Sequence, residues 1–229
     1  MLRNEGLMDK KRLLYVDYAK GYGMLMIVLG HVGQCFPASH QFISYFISYH
    51  VPLFFIISGV LVAHRNREEK WGVFISKKYH SLVIPYIYFS LFNSALKLSV
   101  LAIAGKLTTD VFKTEMIDLL ILGNGTVWFL SALFGAEVLF WLIRRNHFLM
   151  IVVACIGLLI SFTVGSPQSP VVCVVIRILA ALSFYVFGYY LGTLVLVKST
   201  PPLYVGGLLL LAGIFSYIYL DCNLSLIHI

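Results

Sequence analysis

The chain has 229 residues, of which 60% are hydrophobic and only 12% are charged, and its formal net charge is +7. A soluble globular domain carries about 45–50% apolar and about 25% charged residues, so this chain has too little polar surface for a water-soluble fold and is predicted to lie in a membrane. The basic residues stand in short tracts between apolar runs rather than in one patch, which argues against nucleic-acid binding.

About seven apolar runs are long enough to cross a bilayer, which takes about 17–25 residues. In chain order they are Ala19–Phe36, Phe42–Ala63, Leu82–Ala104, Val127–Ile143, Phe148–Val164, Val171–Val197 and Leu203–Leu220. No small-residue cleavage site follows the first run, so it is expected to be a retained anchor rather than a signal peptide. The expected fold class is all-α, a polytopic bundle of transmembrane helices.

The distribution of basic residues predicts the orientation of these spans. With a cytoplasmic N-terminus, only Lys106 and Lys113 of the 17 basic residues lie in external loops. Because cytoplasmic loops carry the excess of Lys and Arg, we predict a multi-pass protein of the cell membrane with its N-terminus in the cytoplasm. The long external connection, residues 105–126, is expected to hold an interfacial helix capped by Thr109 and Asp110.

The first span carries two ionisable residues, Lys20 and His31. They are eleven residues apart, close to three helical turns, so they share one face and are separated by about 16 Å along the axis. Asp17 precedes Lys20 by three residues and can pair with it. Ionisable groups inside a membrane are energetically expensive and are usually functional or paired, so this face is a candidate site.

The second span runs in the opposite direction and places His50 at a depth similar to that of His31. A single intramembrane histidine can simply bond a backbone carbonyl, but two at matched depth favour a functional site. A neighbouring helix or a ligand can approach the first span closely at its glycines, Gly21, Gly23 and Gly30.

Further polar residues lie in or beside the later spans. Arg177 and Lys97 can hold an anionic or polyhydroxy ligand, although Lys97 is expected to extend outward to the interface. Glu137, near the middle of its span, requires either a structural ion pair or a role in proton handling. Asn124 and Trp128 can bind a sugar, although Trp at this depth is commonly part of the interfacial aromatic belt.

A basic tract, residues 65–78, stands between the second and third spans and ends in Lys77 and Lys78. With its aromatic residues Trp71 and Phe74 it suits a phosphate-bearing ligand; the alternative is that its charges serve only to orient the protein. The four cysteines have no zinc-type spacing, so no metal site is predicted.

The last six residues, Leu224–Ile229, can be encoded by CTGTCTCTTATACACATC, the end of a widely used transposon sequencing adapter. We therefore expect a transmembrane domain over residues 1–223 and an artefactual tail over residues 224–229, with the natural protein continuing further. A genuine polar tail is the alternative.

Several motifs give the chain a resemblance to acyltransferase family 3, membrane-bound enzymes that include O-acetyltransferases of bacterial surface polysaccharides. The matching motifs are Asp17–Gly21, Gly30-His31, His50–Phe55 with Ser58-Gly59, Ile84–Tyr86 and Trp128–Phe134. They cover about the first 135 residues, and their order and spacing are more specific than any one of them. The family commonly has Arg at the position of Lys20; Lys keeps the charge but loses bidentate phosphate geometry.

The resemblance implies a domain of about ten spans, of which this chain would hold an incomplete set, and transfer of an acyl group from a cytoplasmic acyl-CoA. The donor would be acetyl-CoA, and the acceptor a hydroxyl of a glycan or lipid-linked sugar. The phosphates of the donor would meet Lys20, with Asp17 beside it, together with Lys77 and Lys78.

The resemblance also implies the roles of the remaining residues. His31 would act as general base on the acceptor hydroxyl, and His50 or Arg177 would stabilise the oxyanion. The acceptor would bind near Arg177, Asn124, Trp128 and Glu137.

Two other functional classes stay open from the residues alone. One is a transporter or flippase of a glycan or lipid that uses the histidines as a proton relay. The other is a structural membrane subunit in which His31 and His50 are dispensable.

Overall fold

Helices make up nearly all of the chain that the computed structural model describes, which is residues 14–33, 50–65, 69–120, 127–164 and 169–197, and these ranges contain no strand. The helices are α1 (Leu14–Gly33), α2 (His50–Arg65), α3 (Trp71–Lys78), α4 (Ile84–Ile103), α5 (Thr109–Leu120), α6 (Trp128–Ile143), α7 (His147–Thr163) and α8 (Pro170–Val197). The predicted all-α fold is confirmed, while the predicted last span, Leu203–Leu220, lies outside the described residues.

Helices α3 and α4 are joined by a π-helical turn, Tyr79–Val83, into one helix of 33 residues, Trp71–Ile103, which we call the α3–α4 rod. The Ile84 N–H bonds to the Tyr79 carbonyl five residues back. Pro85 follows at the start of α4, where it has no N–H to donate and its ring crowds the preceding turn. The wider π turn accommodates this proline without breaking the helix. The basic tract between the second and third spans is therefore helical from Trp71 onward.

Two described helices, Trp71–Ile103 and Pro170–Leu194, have the length and hydropathy needed to cross a bilayer. Helices α2, α6 and α7 are equally apolar in character but shorter, at 16, 16 and 17 residues. The rod exposes a row of large apolar side chains, including Tyr88, Phe92 and Val100. Such a surface suits lipid rather than water, and the chain is a helical membrane bundle.

Helix α8 lies at the centre of the bundle and packs against α2, α6 and α7. Its contact with α2 is the closest because a Cβ atom on Gly188 would overlap the carbonyl oxygen of Ile56, and one on Gly192 would lie 2.8 Å from the Cβ of Ala63. Small residues at this crossing let the two backbones touch, which is how membrane helices gain packing energy. Since Ile56 meets Gly188 and Ala63 meets Gly192, α2 and α8 run in the same direction.

The other helices alternate in direction around α8. Helix α6 runs parallel to α8, and α7 runs antiparallel to it. The contacts that establish these directions are Gly135 with Ile178, Phe140 with Tyr185, Ala154 with Ser183 and His147 with Tyr190. The rod runs antiparallel to α6, since Trp71 meets Trp141 whereas Tyr86 lies beside Leu130. Alternate directions of this kind are what successive crossings of a bilayer require.

Helix α5 confirms the predicted helix in the connection between the third and fourth spans, but its cap differs from the prediction. The Val111 N–H donates to Oγ1 of Thr108 at 3.3 Å, so the capping hydroxyl belongs to Thr108 rather than to Thr109 or Asp110. The reason is that the helix already begins at Thr109, and an N-cap residue stands just before the first helical residue.

Candidate functional site

Helix α1 is unbroken from Leu14 to Gly33, so Lys20 and His31 belong to one helix, as predicted. Lys20 is half-buried, and the side chain of His31 lies outside the described residues. The ion pairs between described residues do not include Asp17 with Lys20, so that predicted pair is not formed. Asp17 interacts with another group instead.

Helices α1 and α2 are in contact at Gly23, where a Cβ atom would lie 3.0 Å from the ring of Phe54. The predicted close approach is confirmed at Gly23. A Cβ atom added at Gly21 would have no neighbouring atom within 4 Å, and the surroundings of Gly30 lie outside the described residues. His50 is the first residue of α2, four residues before Phe54. The structure thus packs together the two helices that carry His31 and His50; the side chain of His50 lies outside the described residues.

A buried ion pair joins the rod to α6, and we call it the α6 ion pair. Nζ of Lys78 lies 2.6 Å from Oε1 of Glu137, with 20% of the lysine side chain and 3% of the glutamate side chain exposed. Of the two alternatives open for Glu137, the structure shows an ion pair. Nine residues, or about 14 Å along α6, separate Glu137 from Trp128. The predicted acceptor residue Glu137 therefore lies with the predicted donor residue Lys78.

The two neighbouring lysines of the basic tract have different surroundings. Lys77 is 60% exposed and pairs with Glu69 at 2.5 Å on the surface, whereas Lys78 is directed toward α6. Residues one apart on a helix point about 100° apart, which separates a solvent-facing lysine from a protein-facing one.

An aromatic cluster, formed by Trp71, Phe74 and Trp141, holds α3 against the end of α6. The ring centroids of Trp71 and Trp141 are 4.5 Å apart, and the Arg144 guanidinium lies 5.3 Å from the Trp141 ring. The aromatic residues of the basic tract therefore pack against α6. Trp141 carries no sequence signal beyond being one more apolar residue of a span, and its role is visible only in the packing.

A second ion pair joins α4 to α5, and we call it the α5 ion pair. Nζ of Lys97 contacts Oε1 of Glu115, and Oγ of Ser94 donates to Oε2 of the same carboxylate at 3.3 Å. The Glu115 side chain is 8% exposed and that of Lys97 is 57% exposed. A buried carboxylate on α5 pairs with Lys97, more than half of whose side chain stays exposed; its extension to the membrane interface stays a prediction. Glu115 was missed because an acidic residue on a short amphipathic helix usually faces solvent.

Three more polar residues stand on α5, α6 and α8. The Arg177 guanidinium sits 5.0 Å from the centre of the Trp128 ring, so the structure brings together two of the predicted acceptor residues. Burial, reinforced by Glu115, raises the pKa of Asp118, whereas Lys97 and Arg177 act in the opposite direction. Asp118 therefore lies within the field of both cations. The last predicted acceptor residue, Asn124, lies outside the described residues.

The five residues Lys97, Glu115, Asp118, Trp128 and Arg177 stand on α4, α5, α6 and α8 and comprise two cations, two carboxylates and an indole ring. Such a set can donate and accept hydrogen bonds and offers an aromatic surface. Within the described residues no group of three or more His, Cys, Asp or Glu side chains is arranged to hold a metal ion.

Comparison with known proteins places the chain in a family. The acyltransferase domain of acyltransferase family 3 matches residues 13–226, a range that includes every described helix. Searches of curated proteins and of solved structures each found no match. The family resemblance inferred from the motifs is confirmed, and the chain belongs to acyltransferase family 3, a family of membrane acyltransferases.

Proposed function

We propose that this protein transfers an acetyl group from acetyl-CoA to a hydroxyl of a cell-surface glycan or a lipid-linked sugar, across a multi-pass bundle of the cell membrane. The observation that carries the proposal is the family match over residues 13–226, which includes α1 with Lys20 and His31 on one face. A cation and a candidate base about 16 Å apart on one helix suit a long donor with phosphates at one end and a thioester at the other.

The donor would bind where α1 and the rod carry their basic residues. Lys20 is half-buried and Lys77 is largely exposed, so both have side chains that a phosphate can reach. Lys78 is paired with Glu137, so its effect on the donor would be indirect: the α6 ion pair holds the rod against α6. The proposal therefore assigns direct phosphate contacts to Lys20 and Lys77.

The transfer itself requires a base and an oxyanion donor. His31 would remove the proton of the acceptor hydroxyl as its oxygen attacks the thioester carbonyl carbon. The carbon–sulfur bond then breaks, the acyl group remains on the acceptor oxygen as an ester, and the proton passes to the departing thiolate of CoA. His50 or Arg177 would stabilise the negative oxygen of the tetrahedral intermediate.

The positions of the two ion pairs support the multi-pass arrangement. Lys78 and Lys97 are nineteen residues apart on the rod, about 28 Å along its axis, and no Asp, Glu, Lys or Arg lies between them. This distance is close to the thickness of the hydrocarbon core of a bilayer, about 30 Å. The excess of positive charge on the side of Lys78 supports a cytoplasmic location for that end and for the N-terminus.

The test is acetyl transfer in membranes that contain the full chain, with radiolabelled acetyl-CoA as donor. The His31→Ala variant should reduce labelling of glycan by about a hundredfold or more, since loss of a general base has effects of this size. His147→Ala is the matched control, because His147 lies on α7 and contacts Tyr190. Labelling by His31→Ala at the wild-type rate would contradict the proposal, and so would movement of glycan across the membrane without ester formation.

The role of Lys20 is tested by measuring the KM for acetyl-CoA in variants of this residue. Lys20→Ala should raise the KM for acetyl-CoA more than Lys20→Arg does, because the arginine keeps the charge that meets the phosphates. Equal effects of the two substitutions on KM would contradict a phosphate contact.

A further inference from the structure

The turn between α6 and α7, residues 144–146, carries two arginines that have no part in the proposed acyl transfer. We propose that Arg144 and Arg145 bind the phosphate of an anionic phospholipid in the membrane leaflet that surrounds this end of the bundle. The partner is a lipid of the membrane rather than the acyl donor or the acceptor, so the inference goes beyond the proposed function.

The turn stands where the lipid-facing surfaces of two helices end. Helix α6 ends at Ile143 and α7 begins at His147. Leu142 on α6 and Phe148 on α7 are 58% and 78% exposed, and large apolar side chains exposed on a membrane bundle face the acyl chains of lipids. Arg145, which lies between them in the chain, is exposed as well. A cation beside side chains that face acyl chains is positioned to reach the lipid headgroups.

Two tryptophans beside the turn support this depth. The Arg144 guanidinium lies 5.3 Å from the centre of the Trp141 ring, whose centroid lies 4.5 Å from that of Trp71. Trp71 is 40% exposed, and tryptophans of membrane proteins concentrate at the level of the headgroups, where the ring meets acyl chains and the N–H group meets water. The cation–π contact also restricts the Arg144 side chain, which lowers the entropy cost of binding a phosphate.

The positive charge of the turn favours an anionic lipid. Neither Arg144 nor Arg145 forms an ion pair with a carboxylate of the part of the chain that the structure describes, and the sequence has no Asp or Glu from residue 138 to residue 220. A guanidinium binds a phosphate through two parallel hydrogen bonds. The phosphate of a zwitterionic lipid carries its own cationic group, whereas that of phosphatidylglycerol does not, so two adjacent arginines select the anionic lipid.

The experiment measures quenching of tryptophan fluorescence by brominated lipids in vesicles that contain the full chain. All vesicles are phosphatidylcholine with about one-fifth phosphatidylglycerol, and the bromine is carried either by the phosphatidylglycerol or by an equal amount of the phosphatidylcholine. Because two of the three tryptophans, Trp71 and Trp141, lie beside the turn, brominated phosphatidylglycerol should quench the wild-type protein more strongly.

The variants test whether the arginines form the site. The binding constant of phosphatidylglycerol relative to phosphatidylcholine should fall about fivefold with Arg145→Gln, and about fivefold again when Arg144→Gln is added, because each change removes a charged contact to the phosphate. Lys70→Gln is the matched control. Lys70 is an exposed cation next to Trp71 that directly follows two glutamates, and its loss should change the relative binding constant less than about twofold.

Several results would overturn the inference. Equal quenching of the wild-type protein by the two brominated lipids would show that no anionic lipid is preferred at the turn, and an unchanged preference in the double arginine variant would show that other residues bind it. A loss with Lys70→Gln as large as that with Arg145→Gln would show a diffuse attraction to a charged surface. Loss of the wild-type preference on addition of inorganic phosphate or of CoA would assign the arginines to a soluble phosphate instead. Circular dichroism checks that each variant keeps its helices.

Discussion

The two ion pairs of the α3–α4 rod have the same chemistry but different surroundings. In the α6 ion pair both Lys78 and Glu137 are largely buried, whereas in the α5 ion pair Glu115 is buried and Lys97 is mostly exposed. The first pair is therefore enclosed by protein, while the lysine of the second pair is open to its surroundings. The comparison indicates an enclosed link between helices at one end of the rod and a partly open link at the other.

The difference follows from what each pair connects. The α6 ion pair joins residues 59 positions apart and lies directly before the π turn, beside the aromatic cluster that holds α3 against α6. The α5 ion pair joins residues 18 positions apart, across the short connection between α4 and α5. A long-range contact inside the bundle excludes water on several sides, and a local contact near a helix end does not.

The largest effect on stability is expected from Glu137→Leu. This change leaves the Lys78 ammonium in a largely buried position without its carboxylate, and breaking a buried pair in this way costs about 3–5 kcal/mol. The unfolding midpoint of the detergent-solubilised protein should fall accordingly. Lys78→Met combined with Glu137→Leu should recover most of the loss, because no uncompensated charge remains. A double variant as unstable as Glu137→Leu alone would show that Lys78 is not the relevant partner.

A smaller effect is expected from Lys97→Met at the other end of the rod. More than half of the Lys97 side chain is exposed, so solvent screens its charge, and the buried Glu115 that remains keeps its hydrogen bond from Ser94. The loss should therefore be smaller than that of Glu137→Leu, about 1–2 kcal/mol. Lys77→Met, which removes a surface pair with Glu69, sets the scale for an exposed lysine on the same rod. If Lys97→Met were as destabilising as Glu137→Leu, the contrast between the two pairs would be lost.

The smallest effect is expected from Asp118→Asn and depends on pH. Burial and Glu115 raise the pKa of Asp118 above its ordinary value of 3.8. The folded protein then binds this proton more tightly than the unfolded chain, so the associated stability is present below pH 3.8 and is lost as pH rises through the folded pKa. The free energy of unfolding of Asp118→Asn, relative to wild type, should therefore increase with pH above 3.8, by less than about 1 kcal/mol because Asp118 is only half-buried.

The measurement is a pair of unfolding curves at several pH values from 3.5 to 7, analysed as the difference between the variant and wild type. A difference that stays constant over this range would show that Asp118 does not titrate with a raised pKa.

The helices of the bundle were predictable because each apolar run satisfies its own backbone hydrogen bonds in lipid only as a helix. The predicted spans Val127–Ile143 and Val171–Val197 agree with α6 and α8 to within one residue at each end. Helix α3 was not predicted, since its basic, amphipathic sequence carries no such requirement; it packs against α6 through Trp71 and Trp141. The family was recognisable from the order of motifs in the first half of the chain.

The sequence by itself determined the fold class, the family and the position of Lys20 and His31 on one helix, because these depend on run length, motif order and the pitch of a helix. Only the tertiary structure decided that Glu137 pairs with Lys78 rather than lying beside Trp128, and that Glu115 pairs with Lys97. The partner of a charged residue on one helix depends on which face of another helix packs against it. That packing arises from contacts such as Gly188 against Ile56, between residues that are far apart in the chain.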